Sequence, residues 1–177
     1  MIRNINNVDD DIARKKRIIE STLYSDPDIV EILDNKTIDP SCPEDLMYES
    51  IWPCIRVPDT QDTAKNYICF TVDDSGLSTS NSVMKRQYVQ FVIFVHKDAV
   101  KTKYGIARHD LLNFIIRDLF NLSNKLGPQM EIISSAEGTT DTDYVTRTLR
   151  FELIDDNSTK PLRTNPYEYD KIVGHRR

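Results

Sequence analysis

The chain has 177 residues, of which 39% are hydrophobic and 29% are charged, and its formal net charge at pH 7 is −5. This size and composition are typical of one soluble domain with short appendages, and the negative charge argues against a protein that binds nucleic acid over its whole surface. The sequence has no apolar run of the roughly 18 residues needed to cross a bilayer, and residues 1–17 lack the apolar segment of a signal peptide. We therefore expect a cytosolic protein that does not bind membranes.

Charged residues are distributed unevenly along the chain. Residues 20–79 carry 13 acidic and 3 basic side chains (net −10), whereas residues 80–125 carry 8 basic and 3 acidic ones (net +5). These segments form either two solvated faces of one subunit or the two sides of a head-to-tail contact between identical copies, which opposite charge would steer. The sequence leaves both interpretations open.

The N-terminal part of the chain predicts two helices. Three aspartates at 9–11 stand where a helix N-terminus favours negative charge, and an apolar stripe at helical spacing runs from Ile12 to Leu23. In the second helix Asp26 is the expected N-cap and Pro27 the first helical residue. We predict that both helices belong to an N-terminal arm of residues 1–46.

The middle of the chain predicts a brief strand followed by an extended hairpin. The brief strand is Ile51–Val57, and in the next strand, residues 67–72, apolar side chains occupy alternate positions. The polar stretch DDSGLSTSNS (residues 73–82) predicts a long, mobile connection with Gly76 at the reversal point. Residues 84–96 then form the second strand of the hairpin.

The stretch YVQFVIFV (residues 88–95) contains one polar side chain, Gln90, and so lacks the alternation of a half-buried strand. We predict that it is the central strand of the sheet and that both of its faces are buried. A long helix further along the chain would cover one face. Either the N-terminal arm or a neighbouring copy of the chain would cover the other.

That long helix is predicted at residues 105–125, with Gly127 as its C-terminal cap. Its expected apolar face consists of Leu111, Leu112, Ile115, Ile116, Leu119 and Leu122. Two further strands are predicted at 129–137 and 141–155, and Arg147 interrupts the apolar row of the second one.

These elements predict an α+β fold, in which a mostly antiparallel sheet with a long hairpin packs against one long amphipathic helix. We expect this core at residues 47–154, after the N-terminal helical arm. Residues 155–177 contain Pro161 and Pro166 and no apolar periodicity, so they predict an extended tail.

The sequence offers few candidates for a metal or thiol site. The residues concerned are His96, His109, His175, Cys42, Cys54 and Cys69. The histidines are far apart in sequence and the cysteines form no C-x-x-C pair, so we expect no zinc site, no disulfide framework and buried free thiols.

The best enzyme candidate is an acidic set that could hold Mg²⁺ for phosphodiester cleavage, with Lys97 as a nearby base. The set comprises Asp73, Asp74, Glu137, Asp141 and Asp143. The same residues fit ordinary turn chemistry, in which aspartates bond to nearby backbone amides. Phosphate-binding glycine motifs are absent from the sequence, and we predict no enzymatic activity and no cofactor.

The segment YVQFVIFVHKDAVKTKYGIARHDLLNFIIRDLF, followed by two strands that end in DYVTRTLRFEL, resembles the tail-terminator and tail-completion proteins of tailed bacteriophages. The resemblance covers about residues 47–154. It implies an α+β subunit, without catalytic residues, that assembles into a ring, commonly six-fold, in the neck of the virion. Its partners would be the tail tube and the head-connector proteins, with DNA passing through the channel.

The resemblance also implies that neighbouring subunits pair their sheets and that loops grip the partner proteins. The expected interface residues are Asp74, Ser75, Gly76, Leu77, Ser78, Thr79, Tyr88, Phe94 and Arg147. Two alternatives stay open: a metal-dependent nuclease that uses the acidic turns, and a cytosolic adaptor that binds one partner through its hairpin.

Overall fold

The structure is a computed structural model, and it describes residues 11–34, 42–56, 66–77, 84–140 and 143–156. Within these residues the chain forms helices and a five-stranded, mostly antiparallel sheet, so the predicted α+β class is confirmed. No helix in this part of the chain is long and apolar enough to span a membrane. The predicted tail beyond Asp156 lies outside the described residues.

The helices are α1 (Asp11–Ser25), α2 (Pro27–Leu33) and α3 (Arg108–Phe120), and the strands are β1 (Ile51–Trp52), β2 (Tyr67–Leu77), β3 (Met84–His96), β4 (Met130–Thr139) and β5 (Tyr144–Asp156). The strand order across the sheet is β1-β2-β3-β5-β4. Strand β1 pairs parallel to β2, and the other neighbours pair antiparallel. The predicted hairpin of β2 and β3 is therefore confirmed.

Strand β3 is the third of the five strands, as predicted for the central strand. Its alternate residues Val89, Phe91, Ile93 and Val95 are fully buried in the main core. The sheet face that carries these four residues is called the helix-covered face below, and the opposite one the second face. Each large side chain buried in this way contributes roughly 1.5–3 kcal/mol to folding.

All three helices pack on the helix-covered face. Ile19 and Leu23 of α1 lie in the same core cluster as Leu112 and Ile116 of α3. Of the two covers considered for the second face, the N-terminal helices are therefore the wrong one, since they pack on the opposite face. The predicted domain boundary at residue 46 stays a prediction, although α1 and α2 share this core.

The joint between α2 and α3 depends on Arg108, whose side chain is buried. Its guanidinium donates to the carbonyl oxygens of Ile32 and Ala99 (2.7 Å to Ala99) and reaches Asp34 Oδ2 at 3.2 Å. The bond to Ile32 O satisfies a carbonyl group at the C-terminus of α2, which has no partner within the helix. At the other end, Asp26 Oδ1 accepts bonds from two backbone N–H groups, so the predicted N-cap is confirmed.

A buried lysine fixes α1 to the sheet. Lys15 is 0% exposed, and its ammonium group donates to Asp11 Oδ2 at 2.8 Å, to Asp155 Oδ2 at 2.5 Å and to Gln87 Oε1. Lys85 also binds Asp11, at 2.8 Å. A buried charge is tolerated only when it is paired and hydrogen-bonded, and this network meets that condition.

Three predicted boundaries are wrong. Strand β2 continues to Leu77 because residues 73–77 keep pairing with β3 around an irregularity in register, so Gly76 lies inside a strand and is not the reversal point. Strand β1 has two residues and does not reach Val57. Helix α3 ends at Phe120, well before Gly127, because Leu122 adopts a positive φ of 58° and donates to Met130 O.

The first prediction concerns Asp11. Burial raises its pKa, but hydrogen bonds from Lys15, Lys85, Gln87 and Arg14 outweigh burial and hold the pKa well below its ordinary value of 3.8. A lowered carboxyl pKa stabilises the fold above the ordinary pKa and loses that effect as the pH falls through the folded-state value. Asp11→Asn should therefore lower the free energy of unfolding by about 1–2 kcal/mol at neutral pH.

The difference from wild type should shrink as the pH falls from about 6 to about 2, as measured by urea denaturation. Asp118→Asn, on the exposed side of α3, is the matched control and should change little. If the difference in the free energy of unfolding between Asp11→Asn and wild type did not change with pH, the lowered pKa would not be the source of the stabilisation.

Candidate functional site

The structure does not bring the predicted interface residues into one surface. Tyr88 and Phe94 lie on the second face, whereas Asp74 and Arg147 lie on the helix-covered face, next to Gln87 and Glu137 respectively. The assignment of each residue to an interface stays a prediction.

The remaining predicted interface residues belong to the hairpin. Ser75 is exposed and its hydroxyl donates to Arg86 O at 3.1 Å. Gly76 and Leu77 form the last residues of β2. Ser78 and Thr79 lie outside the described residues, and so does the centre of the predicted mobile connection.

One end of the second face is closed by the chain itself. A small buried cluster consists of Tyr67, Cys69, Val92, Phe94 and Tyr144, with Trp52 packed against it. Cys69 Sγ contacts Arg56 O at 3.5 Å, and the Arg56 guanidinium lies 4.5 Å above the Trp52 ring. The segment from Trp52 to Arg56 therefore covers this end, which explains in part why YVQFVIFV lacks alternation.

The other end of the second face is polar. The Arg150 guanidinium lies 4.0 Å from the centre of the Tyr88 ring, and Arg86 Nε lies 2.7 Å from Oε1 of the oppositely charged Glu152. Tyr88 is half-buried. This end of β3 needs no further apolar cover, because long side chains from β5 and β3 already shield it.

Strand β4 is at one edge of the sheet, and its first half is capped. Met130 N–H donates to Ser123 O at 3.1 Å, and Leu122 N–H donates to Met130 O at 2.7 Å. Ile132 N–H donates to Asn121 Oδ1 at 3.0 Å. The segment after α3 thus satisfies the outward-facing backbone of these residues.

The second half of β4 is open. The register with β5 shifts between Ile132 and Ser134, and Thr140 N–H donates inward to Tyr144 O at 2.9 Å. Since N–H groups alternate in direction along an antiparallel strand, those of Ser135, Glu137 and Thr139 point outward. Among the described residues none accepts a hydrogen bond from them, and side chains 133–139 are exposed. Residues 135–139 are called the open edge.

A cluster of ionisable side chains lies beside the open edge and is called the His109 cluster: His109, Asp110, Glu137 and Arg147. His109 Nε2 is 3.5 Å from Glu137 Oε1 and 3.7 Å from Asp110 Oδ2. Arg147 Nη1 is 3.4 Å from Glu137 Oε2 and 3.7 Å from Asp110 Oδ1. The residue that breaks the apolar row of β5 therefore faces the carboxylates of α3 and β4.

The sequence showed one sign of this cluster, namely Arg147 in an otherwise apolar row. It did not indicate the partners, because His109 and Asp110 are far from Glu137 in sequence. The ligand atoms of His109, Asp110 and Glu137 lie within 4.8 Å of one another. The expectation of no zinc site rested on the absence of a second histidine or cysteine near each histidine, and it did not consider acidic partners from distant segments.

The acidic set considered for a nuclease does not converge among the described residues. Asp73 and Asp74 pair with Tyr88 and Gln87, near one end of β3. Asp143 lies beyond the other end, where its carboxylate binds Lys97 at 3.0 Å. Eight residues of strand span roughly 26 Å, which is too far for shared metal binding. Asp141 lies outside the described residues.

None of the three cysteines forms a disulfide, but they are not all buried as predicted. Cys69 is buried in the small cluster of the second face, and burial raises the pKa of its thiol to about 11. Cys42 is half-buried and Cys54 is exposed. A buried thiol with a raised pKa stays protonated at neutral pH and acts as a small hydrophobic group.

The second prediction concerns Phe94, which is 3% exposed within the single chain. Phe94→Asp should lower the free energy of unfolding of the subunit by about 3–5 kcal/mol, because it removes a buried ring and places a carboxylate in an apolar cluster. Tyr88→Asp, on the same face, is the control and should cost less, since Arg150 can pair with the new carboxylate. A Phe94→Asp subunit as stable as wild type in thermal denaturation would show that the chain does not close this face alone.

Comparison with known proteins gives a family. The YomW family model matches residues 26–153, a segment that contains α2, α3, strands β1 to β4, most of β5 and the His109 cluster. No curated protein matches the chain. Because the family model covers well over half of the sequence, the chain belongs to the YomW family, which is phage-derived (SPBc2 prophage-like).

Proposed function

We propose that this protein is a structural subunit of a phage virion, which assembles into a ring in the neck or tail and either ends the tail tube or joins the tail to the head connector. Membership of a phage-derived family supports a role in a phage particle. The observation that supports assembly is the open edge of β4. We infer a role without catalysis, and DNA is bound only as cargo that passes through the ring.

An unprotected strand edge is a site for pairing with another chain. Proteins that stay monomeric cover such edges or place charges, prolines or bulges on them. Here the bulge and residues 121–123 protect only the first half of β4, and the open edge carries a single charged side chain, Glu137. A strand from a neighbouring subunit would satisfy the outward backbone groups of Ser135 and Thr139 as well as those of Glu137.

The two edges of the sheet differ, and this difference is compatible with a ring. At the far edge, β1 has two residues and differs from β4 in length and in chain direction relative to its neighbour. A contact between the open edge and a different surface of the next copy is heterologous, and such contacts form a ring when the rotation closes. The same mode of pairing is implied by the resemblance to tail-terminator proteins.

The opposite charges of residues 20–79 and 80–125 support a contact between copies less than the sequence indicated. Lys103 Nζ binds Glu31 at 2.6 Å, and Arg108 binds Asp34 at 3.2 Å. Some charges of the acidic and basic segments are therefore paired inside one chain. We base the contact between copies on backbone hydrogen bonds and not on charge.

The third prediction tests the open edge. In Thr139→Pro the outward N–H group is removed while the inward ladder to β5 is kept, since proline is tolerated on the outer side of an edge strand. Wild-type protein should form closed rings, measured as particle mass by light scattering and as images by electron microscopy. Thr139→Pro should give folded monomers with an unchanged circular dichroism spectrum, and Thr139→Ala, the matched control, should form rings.

Two outcomes would contradict the proposal. One is a wild-type protein that stays monomeric at high concentration and also fails to associate with purified necks or tails. The other is assembly of Thr139→Pro at the wild-type concentration, which would place the contact elsewhere. A monomer that captures a single soluble partner through the hairpin would favour the adaptor alternative.

A further inference from the structure

We propose that His109, Asp110 and Glu137 form a binding site for a divalent metal ion of the zinc type. The proposal does not depend on ring assembly. His109 and Asp110 belong to the first turn of α3, whereas Glu137 belongs to the open edge of β4. A bound ion would thus link the start of the helix to the exposed half of the edge strand.

The spacing of the ligand atoms fits a small ion. Two ligands that each lie 2.0–2.2 Å from a tetrahedral zinc ion are roughly 3.3–3.6 Å apart. His109 Nε2 lies 3.5 Å from Glu137 Oε1 and 3.7 Å from Asp110 Oδ2, and the three ligand atoms lie within 4.8 Å of one another. Small side-chain rotations suffice to bring all three to bonding distance.

His109 supplies the observation that points to a ligand. The side chain is 6% exposed, and its Nε2 lies 3.5 Å from Glu137 Oε1 and 3.7 Å from Asp110 Oδ2, which is longer than an ordinary hydrogen bond. Nε2 faces the two carboxylates, and Nδ1 is buried without a partner. A buried imidazole normally has its polar atoms satisfied, and a metal ion at Nε2 would satisfy the nitrogen that faces the cluster.

Arg147 is compatible with a bound ion, and its guanidinium adds one positive charge next to the two carboxylates. It approaches the outer oxygens, Glu137 Oε2 and Asp110 Oδ1, and leaves the inner oxygens facing His109. Groups that hold the free oxygen of a ligating carboxylate orient it toward the metal. The usual acceptor for the second ring nitrogen of a metal-bound histidine is missing at Nδ1, so affinity should be roughly 10–100-fold below that of a fully supported site.

One imidazole with two carboxylates, and no thiolate, is a ligand set for borderline and harder divalent ions. Three protein ligands leave a position of a tetrahedral ion open for water. We therefore choose Zn²⁺ as the probe, and Co²⁺ as a coloured substitute whose spectrum reports thiolate ligation by the three free cysteines.

The test uses tag-free, full-length protein and isothermal titration with Zn²⁺. Wild type should bind one ion per chain and gain thermal stability. His109→Gln and Glu137→Gln should each weaken binding by at least about tenfold and remove the thermal shift. Glu131→Gln, an exposed carboxylate on the same strand, is the matched control and should bind like wild type.

Several results would overturn the site. They are absence of Zn²⁺ binding by wild type, equal binding by wild type and Glu137→Gln, and a thiolate band in the Co²⁺ spectrum that persists in Glu137→Gln. Because Glu137 is exposed, its replacement should leave the fold intact even where His109→Gln does not. Ring assembly is measured separately in metal-free buffer, so failure of one proposal does not decide the other.

Discussion

The structure depends on the burial of one face of β3. Phe91 is at the centre of that face, where its ring contacts Phe70 at 6.0 Å, Phe120 at 5.2 Å and Phe151 at 5.7 Å between ring centroids. These partners come from β2, α3 and β5, so a single side chain joins both neighbouring strands to the long helix. Aromatic contacts at these distances add to the burial of apolar area. The positions of the other helices follow, because they pack against the same surface.

Because α1, α2 and α3 all pack on one face of the sheet, the other surfaces of the sheet are covered in different ways or not at all. The second face is closed by residues 52–56 at one end and by long charged side chains at the other. The second half of β4 has neither kind of cover among the described residues. Unsatisfied backbone groups, and not an apolar patch, are therefore the feature that we connect with assembly.

Polar groups on the helix-covered face are concentrated in two places. The Lys15 network closes the end near Asp155, where a buried ammonium group is neutralised by two carboxylates. The His109 cluster is near the open edge and holds its groups at longer distances, with ring and guanidinium nitrogens left unsatisfied. The first arrangement is complete in its hydrogen bonds and stabilises α1. The second is incomplete, which is why we assign it a ligand.

The sequence by itself determined the fold class, the hairpin, the N-cap at Asp26 and the central position of β3, because each depends on local periodicity or on side chain to backbone bonds within a few residues. It did not determine which face the N-terminal helices cover, where α3 ends, or which residues meet Arg147. Leu122 ends the helical segment through a bond to Met130, and His109 meets Glu137 only because α3 crosses β4. These features depend on contacts between distant segments, and only the tertiary structure decides them, since periodicity carries no information about which distant residues become neighbours.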